Sequence, residues 1–91
     1  MARLRLEVSG DVQGVGFRWF ARETARRLDL AGWVRNRPDG SVEIAIEGED
    51  VRVEQFIGHL ARGPTGAQVA DVARRPLDDG EALSRPFTIL R

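Results

Sequence analysis

The sequence predicts an α+β protein in which two amphipathic helices cover one face of an antiparallel β-sheet. Apolar and polar residues alternate in the strand segments, and apolar residues recur at three- and four-residue spacing in two other segments. The elements follow the order β-α-β-β-α-β, with one extra short strand at the end. That order is typical of a two-layer sandwich of the ferredoxin-like kind. Because the chain has only 91 residues, we expect residues 1–91 to form a single domain.

The first two elements are a strand and a helix. Residues 3–8 alternate between charged and apolar side chains, which predicts a strand with one buried face. A glycine-rich loop follows this strand. Residues 18–28 then show helical apolar spacing, with arginine and glutamate side chains on the opposite side. We therefore expect a helix that packs one stripe against the sheet.

A β-hairpin is predicted next. Residues 31–37 have an extended pattern, and the Pro-Asp-Gly sequence at residues 38–40 is typical of a turn. Residues 41–47 alternate so regularly that we expect Glu43 and Glu47 on the solvent side of the second strand.

One more helix and two strands complete the prediction. Asp50 is a good N-cap for a helix that continues to about residue 61 and ends at Gly63. Residues 67–77 form the fourth predicted strand. Its valines, Val69 and Val72, stand three residues apart instead of two, so we expect a bulge or a twist there. Residues 87–90 form the short last strand.

Composition argues against several functional classes. The formal net charge is +0, which argues against nucleic acid as a partner. The chain has no cysteine and one histidine, His59, so we expect no disulfide, no thiolate catalysis and no zinc site of the usual His/Cys kind. We expect no other metal and no cofactor. No apolar run approaches the roughly 18 residues of a membrane span. We therefore expect a soluble, cytoplasmic protein without a membrane partner. We also expect a monomer, although no sequence feature indicates the oligomeric state.

The basic residues are unusual in kind, because all 14 of them are arginine. A coding bias of the source genome is the simpler interpretation. The alternative is a demand for guanidinium groups, which bind carboxylate and phosphate with two parallel hydrogen bonds.

The segment GDVQGVGFR, residues 10–18, carries the first functional signal. It follows a strand and leads into a helix, where free N–H groups and the helix dipole favour an anion. We predict that the backbone of a six-residue segment holds a phosphate-sized group, and its residues are Gln13, Gly14, Val15, Gly16, Phe17 and Arg18. The Arg18 side chain adds charge-assisted hydrogen bonds. A purely structural turn is the alternative. The segment lacks the GK[ST] of a nucleotide P-loop and the third glycine of a dinucleotide fingerprint.

Asn36 carries the second signal, because it stands at the end of a strand that alternation otherwise explains. One interpretation makes it a turn residue before Pro38. The other uses its amide, which both donates and accepts hydrogen bonds, to hold a water molecule in a fixed orientation beside an anion.

Together with GWVRNRPDGSVEIAIEG, residues 32–48, the glycine segment resembles the acylphosphatase family. Both signature segments are present, namely VQGVGFR and the pattern G-W-V-x-N-x-x-x-G-x-V-E. The likeness extends to GPTGAQVADV and FTIL. The resemblance implies an α+β sandwich that hydrolyses the carboxyl–phosphate anhydride of a small acyl phosphate, releasing a carboxylate and inorganic phosphate. It assigns phosphate binding to Arg18 and to the backbone of residues 13–18, and orientation of the attacking water to Asn36.

Many relatives have glycine at the position of Asp29, so we expect a left-handed backbone there. The implied chemistry needs few groups. The leaving carboxylate is stable as it departs, so positioning and charge stabilisation suffice without a general acid or a metal. An RNA-recognition domain is disfavoured because the strand segments RLRLEV and SVEIAIE lack aromatic residues. A non-catalytic module that binds an anion or another small molecule stays open as the alternative.

Overall fold

Five strands and two helices make up the part of the chain that the computed structural model describes, residues 1–90. In chain order they are β1 (Ala2–Asp11), α1 (Phe17–Arg27), β2 (Ala31–Asn36), β3 (Val42–Gly48), α2 (Asp50–Arg62), β4 (Gln68–Arg75) and β5 (Thr88–Ile89). The predicted order of elements is confirmed, and so is the α+β class.

The strands lie in the order β4-β1-β3-β2-β5. The prediction of a purely antiparallel sheet is wrong at one edge, because β5 runs parallel to β2. The physical reason is the route of the chain after β4. The connection crosses one end of the sheet to the opposite edge, so β5 starts at the end where β4 stopped and runs back against its direction. Since β2 also runs opposite to β4, the last strand becomes parallel to it.

Both helices pack on the same face of the sheet, as predicted. Alternate residues of β1, among them Leu6 and Val8, are fully buried beneath them. The largest buried side chains are Phe17 of α1, Phe56 of α2 and Phe87 just before β5. The two helices bury the stripes that their spacing predicted, consisting of Phe17, Ala21, Thr24, Ala25, Val53, Phe56, Ile57 and Leu60.

A bulge interrupts the pairing of β1 with β4, as the valine spacing predicted. Ser9 pairs with Asp71 but Gly10 pairs with Val69, which leaves Ala70 as the extra residue of β4. β1 extends three residues past its predicted end at residue 8, and the last two of them, Gly10 and Asp11, pair beyond the bulge.

The start of α2 differs from the prediction by one residue. Glu49, not Asp50, is the N-cap, because its carbonyl accepts the first helical hydrogen bond, from the Val53 N–H at 3.0 Å. Asp50 lies inside the first turn, where its charge complements the helix dipole.

The end of α1 has the left-handed residue that was expected. Asp29 has φ 55°, and the chain reverses there through two hydrogen bonds. The Leu30 N–H donates to the Ala25 carbonyl at 2.9 Å, and the Asp29 N–H donates to the Arg26 carbonyl at 3.1 Å. This pair of bonds is the Schellman arrangement that commonly ends a helix.

The face of the sheet opposite the helices is covered by arginine side chains. The prediction that Glu43 faces solvent is wrong, since its side chain is only 6% exposed. Arg5 donates to one Glu43 carboxylate oxygen at 2.9 Å, and Arg35 donates to the other at 2.7 Å. The reason is that long guanidinium side chains from neighbouring strands lie over the carboxylate and exclude water. Glu47 is half-buried beside Arg3.

Candidate active site

The loop between β1 and α1 takes its shape from two glycines. Gly14 has φ 77° and Gly16 has φ 79°, both in the left-handed region. A Cβ added at either position would meet nothing within 4 Å. Backbone conformation, not lack of space, is therefore why glycine suits these positions. Left-handed residues alternating with others turn successive N–H groups toward one side, which is the geometry of an anion nest.

The first turn of α1 leaves its amide groups available. Gly16 is the N-cap, no side chain caps the helix, and its first turn holds no acidic residue. The first helical bond runs from the Phe20 N–H to the Gly16 carbonyl at 3.0 Å. The N–H groups of Phe17, Arg18 and Trp19 therefore have no acceptor within the helix. They form the positive end of the helix dipole.

These groups border a cavity of about 210 Å³, which we call the loop cavity. Its lining residues are Val12, Gly14, Gly16, Phe17, Arg18, Trp19, Asn36 and Ile89. The structure thus brings Arg18 and Asn36, far apart in sequence, to the same space as the two loop glycines. Of the six residues predicted to form the cradle, Gln13 and Val15 do not line it.

Gln13 instead ties the loop to the hairpin. Its side-chain Nε2 donates to the backbone carbonyls of Arg37 and Ser41, both at 2.8 Å. Val15 packs against the hydrophobic core. Sequence reasoning counted only the backbone of Gln13 and missed this role of its side chain, because no spacing rule reveals a contact with carbonyls more than 20 residues away.

The side-chain oxygen of Asn36 is a hydrogen-bond acceptor that no donor among the described residues satisfies. Asn36 is the last residue of β2, and its Oδ1 is buried with no hydrogen-bond partner among the described residues. Buried polar atoms in native proteins nearly always have a partner, so a lone acceptor beside a cavity indicates a site for water or ligand. This finding favours the interpretation of Asn36 as a ligand-facing group over that of a simple turn residue.

The guanidinium of Arg18 is also available to a ligand. Arg18 is half-buried, and within residues 1–90 no carboxylate forms an ion pair with it. Most of the other arginines have an acidic partner. A guanidinium at the rim of an amide nest is well placed to make two hydrogen bonds to an oxyanion.

A larger cavity of about 570 Å³ adjoins the first one and shares Arg18 and Asn36 with it. We call it the arginine cavity. Its lining residues are Arg5, Arg18, Arg35, Asn36, Arg37, Pro38, Glu43 and Leu90. These residues belong to α1, to the end of β2 and to the arginine-covered face, so the cavity extends from the helix side round the edge of the sheet.

Glu43 is ionised at the floor of the arginine cavity. Burial by itself raises the pKa of this carboxyl, but the hydrogen bonds from Arg35 and Arg5 and the charges of Arg35 and Arg37 outweigh that effect. The pKa of Glu43 therefore lies below its ordinary value.

Comparisons with known proteins identify the family of this chain. The sequence model of the acylphosphatase family matches residues 4–89. The chain belongs to the acylphosphatase family. It is 53% identical over 70 residues to an acylphosphatase from Thermococcus kodakarensis, covering 77% of each chain. It is 49% identical over 77 residues to one from Rhizobium meliloti, covering 85% of this chain and 81% of the relative. Its fold matches the crystal structure of acylphosphatase from Bacillus subtilis with a TM-score of 0.91 and 38% identity, over 100% of both chains.

The resemblance inferred from VQGVGFR and the hairpin segment is therefore confirmed, as are the fold and the assignment to a hydrolase family whose substrates are small acyl phosphates. Among the described residues, no group of three or more His, Cys, Asp or Glu side chains is arranged to hold a metal ion. Neither helix is long and apolar enough to cross a membrane.

Proposed function

We propose that this acylphosphatase-family chain hydrolyses acyl phosphates in the loop cavity, with Arg18 and Asn36 as its catalytic residues. The observation that carries the proposal is the meeting of three unsatisfied groups at one cavity. They are the uncapped N–H groups of the first turn of α1, the unpaired guanidinium of Arg18 and the buried Oδ1 of Asn36.

The phosphoryl group of the substrate binds to backbone N–H groups of the loop and of the first turn of α1, between residues 14 and 18, and to the Arg18 guanidinium. The N–H groups already point to one side, because Gly14 and Gly16 adopt the left-handed conformation, and the dipole of α1 adds to their positive potential. As charge shifts toward the departing oxygen, these donors stabilise the phosphoryl oxygens without further rearrangement.

The attacking water is held by Asn36, whose Oδ1 accepts a hydrogen bond from it. The water oxygen forms a bond to phosphorus while the bond between phosphorus and the acyl oxygen breaks. The electron pair of that bond leaves with the carboxylate, and the water proton passes to an oxygen of the phosphoryl group. The products are a carboxylate and inorganic phosphate, and no base or metal takes part in the scheme.

The decisive experiment measures phosphate release from benzoyl phosphate by wild type, Asn36→Ala and Asn36→Asp, with excess chelator in a parallel series. Loss of the group that orients water should lower kcat by roughly 10²-fold or more, while KM changes much less. Asn36→Asp should be at least as inactive, because it sets a negative charge beside an anionic substrate. Chelator should leave the wild-type rate unchanged. A wild-type rate in Asn36→Ala would remove Asn36 from the mechanism.

A non-catalytic anion-binding module is the second candidate, favoured only by the fact that the same nest and arginine suffice to bind phosphate. The same assay separates the two. A binding module would bind inorganic phosphate and release none from benzoyl phosphate.

We also propose that the chain acts as a single domain over residues 1–91 and as a monomer in the cytoplasm, without a nucleic-acid partner. Residues of one chain supply every group named in the mechanism, which supports the monomer, and the formal net charge of +0 argues against a nucleic-acid partner. Light scattering coupled to gel filtration, compared with specific activity over a range of protein concentrations, tests the monomer.

A further inference from the structure

The arginine cavity contains positive charge that the proposed chemistry does not use. Hydrolysis of the anhydride needs one guanidinium, that of Arg18, yet Arg5, Arg35 and Arg37 line the same cavity. Among residues 1–90, Glu43 is the only residue of that lining with a side-chain carboxylate. Three arginines of this cavity therefore have no part in the mechanism above.

The three arginines differ in how many hydrogen bonds their guanidinium groups donate to neighbouring carboxylates. Arg5 is committed, since it donates to Glu43 at 2.9 Å and to Glu7 at 3.2 Å. Arg35 donates through Nε alone, to Glu43 at 2.7 Å. Within residues 1–90 its two terminal nitrogens make no hydrogen bond, although the guanidinium lies over the Trp33 ring at 5.2 Å. Arg35 is therefore held in place with its outer edge open.

Arg37 is weakly paired. Its Nη1 lies 3.3 Å from Glu7 and 4.0 Å from Glu43, and its side chain is 35% exposed. Arg75 also shares Glu7, at 3.6 Å. Four guanidinium groups on this face thus share two carboxylates, which leaves an excess of positive charge beside the cavity. Such an excess attracts an anion, and partial enclosure makes the attraction stronger than in open water.

We propose that the arginine cavity binds the acyl part of the substrate and selects acyl groups that carry a second anionic group, a carboxylate or a phosphate, through Arg35 and Arg37. This inference rests on the proposed function, which places the phosphoryl group between Arg18 and Asn36. Those two residues border both cavities, so an acyl group bonded to that phosphoryl group enters the arginine cavity directly.

The competing interpretation is that the guanidinium groups only cover the sheet. In that case, removal of Arg35 or Arg37 would change stability and leave the choice between charged and neutral acyl groups as it was. Substrate charge, not overall activity, is therefore the variable to measure.

The test compares 4-carboxybenzoyl phosphate and 4-phosphonobenzoyl phosphate with the neutral 4-carbamoylbenzoyl phosphate, each rate divided by that of spontaneous hydrolysis. For the wild type we expect kcat/KM to be about 10-fold higher for at least one charged substrate than for the neutral one, because one charge-assisted hydrogen bond has an effect of this size. The gain should appear in KM, because the group is remote from the reacting atoms. It should shrink as salt is added. The larger preference identifies whether the cavity takes a carboxylate or a phosphate.

The variants are Arg35→Gln, Arg37→Gln and the double variant, with Arg74→Gln as the matched control. Arg74 has the same side-chain exposure as Arg35, 52%, but pairs with Glu54 of α2 on the other face of the sheet. The double variant should hydrolyse all three substrates with equal efficiency, whereas the control should keep the wild-type preference.

Two results would overturn the inference. The first is a wild-type ratio of charged-substrate to neutral-substrate kcat/KM near one at low salt, and the second is an undiminished ratio in the double variant. The first measurement needs only the wild type, so it tests the inference even if the double variant does not fold. If the wild type hydrolyses all three substrates with equal kcat/KM, the selectivity is rejected and the proposed function stands. Absence of hydrolysis of all three would reject the proposed function itself.

Discussion

Arg18 differs from the arginines around it in what surrounds its guanidinium. Arg5, Arg35 and Arg37 all contact carboxylates, whereas Arg18 lines both cavities without an acidic partner among residues 1–90. An arginine paired with a carboxylate must break that contact to bind an oxyanion. An unpaired one binds without that cost, which is why the phosphate-binding role is assigned to Arg18.

Replacement of Arg18 by lysine should separate charge from geometry. Arg18→Lys keeps the positive charge but loses the planar pair of donors. We expect turnover of benzoyl phosphate to fall about 10²-fold, with weaker inhibition by inorganic phosphate and an unchanged melting temperature. Arg22→Lys is the control, since Arg22 lies on the same helix, pairs with Glu23 at 3.1 Å and does not line either cavity among the described residues. Near-normal turnover in Arg18→Lys would contradict the role given to this residue.

Asp29 is the residue at which local strain can be measured. Glycine tolerates φ 55° without penalty, so Asp29→Gly should relieve strain at the end of α1. The exposed contacts of Asp29 with Arg85 (3.0 Å) and Arg52 (3.9 Å) are lost at the same time, and exposed pairs contribute little. We expect the free energy of unfolding in urea to rise by a few tenths of a kcal/mol, with activity unchanged.

Two further substitutions separate strain from charge at this position. Asp29→Ala should lower the free energy of unfolding by about 1 kcal/mol, because alanine resists the left-handed region. Asp29→Asn keeps the shape and removes the charge, so it measures the two ion pairs alone. If alanine were as stable as glycine here, strain would not be the reason for the glycine preference.

At the scale of elements, the active site depends on how the glycine loop is joined to the hairpin. Arg18 stands on α1 and Asn36 at the end of β2, and these two elements meet across the loop cavity. The Gln13 side chain connects them, since it binds the Arg37 and Ser41 carbonyls on both sides of the hairpin turn. It therefore sets the distance between the phosphate nest and the residue that orients water.

Gln13→Ala should uncouple the two halves of the site. Loss of two hydrogen bonds should lower the free energy of unfolding by about 1–3 kcal/mol. We also expect kcat to fall roughly 10-fold through misplaced catalytic groups, while the affinity for inorganic phosphate stays close to wild type. A purely structural role would leave kcat of the folded protein unchanged. Gln13→Glu should be worse than alanine, because it turns a carboxylate toward two carbonyl oxygens.

For the molecule as a whole, the arginine-covered face makes stability depend on pH. The folded state holds the pKa of Glu43 below the ordinary value of 4.5. A lowered folded pKa means that ionised Glu43 stabilises the fold above about pH 4.5, and that this stabilisation is lost as pH falls through the folded pKa. The two helices on the other face contribute no comparable buried charge within the described residues.

Urea unfolding of wild type and Glu43→Gln at neutral and acidic pH measures this contribution. At pH 7, Glu43→Gln should lower the free energy of unfolding by roughly 1.5–3 kcal/mol, because charged hydrogen bonds to Arg5 and Arg35 are lost. The difference between the two proteins should narrow below pH 4. Glu54→Gln is the control. The pKa of Glu54 is also lowered, by its hydrogen bond with Arg74, but the pair is exposed and screened by solvent. Equal acid sensitivity in wild type and Glu43→Gln would show that other groups dominate.

The order of elements, the helix stripes and the two signature segments follow from local sequence. Alternation and helical spacing report which side of each element is apolar, and burial of that side is the main free-energy gain of folding. The glycines of residues 10–18 likewise predict an unusual loop from conformational freedom alone. For these reasons the sandwich, the family and the glycine-rich loop before α1 could be predicted without coordinates.

Other features were decided only when distant segments met. The direction of β5 depends on the path of the chain across the sheet, and the burial of Glu43 depends on arginines brought in from β1 and β2. The link from Gln13 to the hairpin and the lone acceptor of Asn36 are equally nonlocal. Sequence periodicity records the apolar face of each element, but it carries no information on which long polar side chains will share the other face. That is why the sequence alone determined the fold and the glycine loop. The arginine cavity and the burial of Glu43, by contrast, were decided by tertiary packing.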